Sequence, residues 1–154
     1  MGTDYSELSR QRADYNALNR QQTERLKSLR RLSDADLARP VGEHWTVGVA
    51  LAHLAYFDKR ALGALEAWRR HGVRLELWVD AEAAVNDIRL PIWREVPPRA
   101  ALEDAIRAAE ALDALLASLT PEEVEAVRAE RWAVLFRCRH RDAHLTEIEQ
   151  ALAA

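Results

Sequence analysis

From Tyr5 to Leu32 the apolar positions Leu8, Tyr15, Leu18, Leu26 and Leu29 recur at near-helical spacing among charged residues, with no glycine or proline between them. That pattern predicts one long amphipathic helix. SDADLARPVGEH, residues 33 to 44, opens on a capping-type serine and contains Pro40 and Gly42, so it predicts a single helical turn and then a loop. A second helix is predicted over TVGVALAHLAYFDKRALGALEAWRRHG. Thr46 is placed to cap its start, Arg69 and Arg70 fall in its last turn, and Gly72 stands just beyond its end.

Residues 73 to 98 give mixed signals. VRLELWVD alternates like a short strand, DAEAAVNDI resembles a short helix, and Pro91, Pro97 and Pro98 interrupt the remainder, so the stretch is expected to be a long connection. A third helix is predicted from about Pro98, with Leu102, Ile106, Ala109, Leu112, Leu115, Leu116 and Leu119 on one face. TPEEVEAV predicts a short capped turn and ERWAVLFR a buried lead-in. A fourth helix then runs from roughly Phe136 to the end. The expectation is an all-α chain: a four-helix bundle in one domain over residues 1–154, with a long crossover between helices two and three.

Composition adds limits. Leu, Ala, Glu and Arg dominate, and 154 residues suffice for one core. A net charge of -3 gives no overall attraction to nucleic acid or an anionic membrane. Arg10, Arg12, Arg20, Arg25, Arg30 and Arg31 are interspersed with Asp and Glu, as on a solvated helix face. No apolar run reaches the roughly 20 residues a membrane span needs. The N-terminal MGTDYSELSR lacks a secretory apolar stretch, and a lone cysteine, Cys138, has no intramolecular partner, so a cytoplasmic location is expected.

The candidate chemistry lies in HRDAHLTEIEQAL. His140 and His144 project about 40° apart on a helix, with Glu147, Ile148 and Ala151 on the same side. The pair is half of a metal site or simply two partly buried rings. Arg141 occupies the position where a zinc protease carries its general base, which removes that reading. Cys138 is turned about 160° from His140 and is expected to pack rather than ligate. His53, midway along the second helix, lies at the margin of an apolar arc containing Val49, Ala50, Leu54, Phe57 and Leu65. It is either a third ligand or a core histidine beside Tyr56; three imidazoles with an open position would make a catalytic type of site. His44 and His71 read as a loop residue and a helix-end residue. Tyr56 and Asn86 are further candidates for lining a pocket. Tryptophans at 45, 68, 78, 93 and 132 suit a core, a ligand cavity or a dimer interface.

Three stretches, HWTVGVALAHLAYFD, VNDIRLPIWREVPPRAALEDA and HRDAHLTEIEQAL, resemble the DinB-like superfamily, which includes the N-terminal domain of mycothiol-dependent maleylpyruvate isomerase. The resemblance implies a homodimeric bundle holding a divalent metal, zinc or nickel foremost, on His53, His140 and His144. It implies a small-molecule substrate or low-molecular-weight thiol as partner, in thiol-dependent transferase or isomerase chemistry. Metal-dependent hydrolysis is the other enzymatic expectation for such a site, and Glu147, one turn beyond His144, is either a proton acceptor or an ordinary helix-surface carboxylate. The larger mycothiol-dependent enzymes carry an additional C-terminal domain, and with the chain ending at Ala154 their isomerase reaction is not expected. The alternative is a non-enzymatic stress-linked ligand-binding or dimeric interaction module with a vestigial metal site.

Overall fold

The computed structural model describes residues 2–75 and 82–154. The elements are α1 (Tyr5–Arg10), α2 (Tyr15–Ser28), a 3-10 turn, α3 (Asp34–Leu37), a two-stranded ribbon of β1 (Pro40–Val41) and β2 (Trp45–Thr46), α4 (Val47–His71), α5 (Glu82–Glu95), α6 (Pro98–Ala117), α7 (Pro121–Arg131), a second 3-10 turn at Trp132–Val134, and α8 (Cys138–Ala153). Among the described residues the fold is all-α apart from the ribbon. Among the described residues, no helix is long and apolar enough to cross a membrane.

Helices α2, α4, α6 and α8 form a ring in which α4 packs on α6 and α8, and α2 packs on the same two. Side-chain pairs fix the directions. Lys59 meets Asp104 and Arg69 meets Glu123 just past α6, so α4 and α6 run parallel. His53 and Asp58 meet His140 and Arg141 on the facing helix α8. Parallel neighbours need a crossover, and the segment after α4 supplies it.

Four elements differ from the expectation. The first helix is broken, because Arg12 adopts a left-handed backbone (φ 54°) and Asp14 restarts the chain by capping α2 at Ala17 N. The long connection contains a helix, α5, which accommodates Pro91 in its interior. Residues 76–81, including most of the strand-like alternation and Trp78, lie outside the described residues. The capped turn at Thr120 extends into the 11-residue α7, with Thr120 and Glu123 forming a reciprocal capping box. The ribbon has no counterpart in the expected elements: Val41 pairs with Trp45 across a turn containing Gly42 at φ 67°.

The second helix matches closely. Thr46 Oγ1 accepts from Val49 N, and Gly72 closes α4 in the left-handed conformation. Its inner face, from Val47 to Leu65, supplies most of the core together with Leu102, Ala105 and Ile106 of α6 and Leu145 and Ile148 of α8.

Candidate metal centre

His53 is fully buried on the face of α4 that meets α8. Its Nε2 lies 2.9 Å from His140 Nε2, and one nitrogen from each of His53, His140 and His144 falls within 4.8 Å of the others. The ring centroids are 4.4 to 4.9 Å apart. Two imidazole nitrogens bound to one ion at about 2.05 Å, with an angle between roughly 90° and 110°, stand roughly 2.9 to 3.4 Å apart. The His53–His140 separation falls in that range, and the donor set suits zinc, nickel and related first-row ions.

Each ring is held from behind. His53 Nδ1 lies 3.1 Å from Asn86 Oδ1, so α5 contributes a residue to the site. Arg137 Nη2 donates toward His140 Nδ1 at 3.2 Å, and His144 Nδ1 lies 3.2 Å from Glu147 Oε2. Acceptors such as Asn86 Oδ1 and the Glu147 carboxylate orient imidazole ligands in this way. Glu147 is half-exposed, while Tyr56 stands farther back, packed on Trp93 beneath the Arg89 guanidinium.

Aromatic rings enclose the triad. Phe57, Trp45 and Trp93 lie 4.7, 4.9 and 5.3 Å from the His53 ring, and Trp45 also stacks on His144 at 5.8 Å. The ribbon places Trp45 there, and Arg39 at its base donates to the Leu152 and Ala154 carbonyls, pinning the ribbon to the end of α8. A pocket of about 600 Å³ opens between ribbon and helix, lined by Val41, Trp45, His144, Glu147 and Gln150.

Beneath the triad is a buried polar network that sequence reasoning missed. Asp58 accepts from Arg137 Nε at 3.1 Å and from Arg141 Nε at 2.8 Å. Arg141 Nη1 also reaches Asp113 at 2.8 Å and Thr23 at 3.1 Å, and Asn19 bridges Leu135 O and Cys138 N. Burial alone would raise the Asp58 carboxyl, but the Arg141 and Arg137 guanidiniums outweigh it and hold the group below its ordinary value. The available signal was Arg137 and Arg141 at i−3 and i+1 from His140, on a helix whose inner face they share.

The remaining candidates separate from the site. Cys138 is buried in the apolar cluster around Phe136, and burial pushes its thiol up to about 12. His44 sits in the ribbon turn near Glu43, and His71 is exposed at the end of α4. Arg10, Arg12, Arg25 and Arg30 pair with Glu7, Glu125, Asp142 and Glu103 respectively.

No curated protein and no solved structure matches the chain. A family model, described as the DinB superfamily, matches residues 17–148, a span from α2 through Ile148 of α8 that includes all three histidines. That superfamily commonly binds metal. With the greater part of its length matched, the chain belongs to the DinB superfamily.

Proposed function

We propose that this chain binds a divalent metal ion through His53, His140 and His144 and acts on a small-molecule substrate, as a thiol-dependent transferase or isomerase or as a metal-dependent hydrolase. The observation that carries this reading is the convergence of three imidazoles from two helices, two of them with Nε2 atoms 2.9 Å apart. When bound, a divalent ion supplies Lewis acidity that favours the ionised form of a water or thiol beside it. The chain's residues supply the remainder. Asn86 holds the His53 ring in place. Phe57 and Trp93 close the His53 side to solvent, and Glu147, at the open pocket, takes up a proton from substrate.

Elemental analysis of untagged protein tests the reading. The expected result is a stoichiometric ion in the wild type, lost in His53→Ala and in His144→Ala. Wild-type protein that holds no Zn, Ni, Mn or Fe and cannot be loaded with any of them would sink it.

The aromatic enclosure favours a second reading, a ligand-binding or interaction module whose metal site is vestigial. Trp45 presents an indole to the pocket beside His144, an arrangement suited to a flat ligand. A conjugation assay with several low-molecular-weight thiols and an electrophile separates the two readings. Turnover abolished by chelator supports the enzyme; inert protein with saturable tryptophan quenching supports the module. A homodimer is proposed for either case on the family resemblance, and exposed Ile88 and Ile92, one turn apart on α5, offer apolar surface for it.

A further inference from the structure

The pocket between the ribbon and α8 has a one-sided charge. It holds about 600 Å³, and among the described residues Glu147 is the one Asp, Glu, Lys or Arg side chain that lines it. Glu147 is half-exposed. Its Oε2 lies 3.2 Å from His144 Nδ1, and its Oε1 has no hydrogen-bond partner among the described residues. Trp45 supplies an aromatic wall, with its indole stacked 5.8 Å from the same His144 ring and 6.2 Å from Trp93. Carboxylate and indole therefore bear on one imidazole and stand within reach of a single small molecule.

The arginines bonded to the ribbon and to the end of α8 are engaged elsewhere. Arg39 donates to the Leu152 and Ala154 carbonyls, Arg94 donates to the His44 carbonyl, and neither lines the pocket. Gln150 and Val41 add lining without charge, and Glu43, which follows the lining residue Gly42, is an exposed second carboxylate beside His44. A carboxylate or phosphate placed here would face Glu147 with no lining cation to offset it. An organic cation meets the opposite situation, because an indole face attracts it and a free carboxylate oxygen accepts its hydrogens.

We propose that this pocket receives a protonated amine carried by the substrate, with the ammonium hydrogens on Glu147 Oε1 and the adjoining carbons against the Trp45 indole. The inference deepens the reading above, on which it rests only in calling the bound molecule a substrate.

Three ligands that share a phenyl ring test it on chelator-treated wild-type protein at about pH 7: phenethylamine, which is protonated there, phenethyl alcohol and hydrocinnamate. In an NMR titration, the indole N–H of Trp45 and the backbone amides of Glu147 and Gln150 are expected to shift. Phenethylamine is expected to bind about tenfold more tightly than the alcohol, the scale of one partly exposed ion pair plus one cation–π contact, and hydrocinnamate to bind most weakly. Glu147→Gln is expected to remove the advantage of the amine and leave the affinity for the alcohol as it was. Salt at about 0.5 M is expected to narrow the gap in the wild type, a measure that needs no variant. Equal or tighter binding of the alcohol or hydrocinnamate overturns the inference. So do shifts centred away from the pocket, no binding of any of the three, or an amine advantage that survives Glu147→Gln. Each of these leaves the metal reading standing, whereas an elemental analysis that finds no ion overturns that reading and leaves the ammonium pocket intact.

Discussion

Arg141 Nε donates to Asp58 Oδ2 at 2.8 Å with both side chains almost closed to solvent, an ion pair that ties α8 to α4 directly below the three histidines. The same guanidinium reaches Asp113 on α6 and Thr23 on α2, so one side chain links all four helices of the ring. Removing one member of such a network leaves buried charge uncompensated. Arg141→Met is expected to lower unfolding stability by about 3–5 kcal/mol in urea denaturation. A loss below about 1 kcal/mol, the scale of an exposed ion pair, would contradict the account.

Two glycines of α4 are expected to respond to alanine with opposite signs. A Cβ at Gly48 would stand 2.9 Å from Pro98 Cβ and 3.2 Å from Pro98 Cα, where α4 and α6 begin side by side. Gly48→Ala is therefore expected to destabilise by about 1–3 kcal/mol through overpacking. At Gly63 nothing lies within 4 Å, and Gly63→Ala is expected to stabilise by about 0.5–1 kcal/mol through helix propensity. Thermal melts of the two variants check the pair.

Glu123 is held at about 2, below its ordinary 4.5, first by the Arg69 guanidinium and then by the Thr120 backbone N–H. A depressed carboxylate contributes stability above its unfolded value and loses it as pH falls toward the folded one. The melting-temperature gap between wild type and Glu123→Gln is expected to be complete above about pH 4.5 and to shrink as pH falls toward 2. A gap that stays constant or widens over that window would refute this.

Cys138 is fully buried, with its thiol pushed up to about 12, so little thiolate exists near neutral pH. Ellman's reagent is expected to react with the native chain only slowly and to titrate one thiol in denaturant. Rapid native reaction would show that Cys138 is reachable and return it to consideration in thiol chemistry.

The features legible in the sequence were those with a periodic or capping signal. Thr46 and Gly72 bound α4, and the spacing of His140 and His144 placed both on one face. Spacing alone leaves open whether His53 meets the pair, and the family resemblance favours it. The features that escaped depended on tertiary partners. The break at Arg12 leaves apolar periodicity nearly intact, and only Asp14, a capping residue, marks the restart. Pro91 reads as a breaker, yet α5 runs through it, which hid the helix that brings Asn86 to His53. Asp58, Arg137 and Arg141 resemble ordinary surface charges until neighbouring helices surround them, and the one local signal is the placement of the two arginines beside His140.

The crossover forced by parallel α4 and α6 makes the site modular. The three histidines and the Asp58–Arg141 pair belong to α4 and α8, whereas Asn86 and Trp93 come from α5, inside the segment that joins α4 to α6. Evolution, or a protein engineer, can therefore exchange the residues of α5 around a constant histidine cluster, changing what reaches the cluster without rebuilding the helices that hold it.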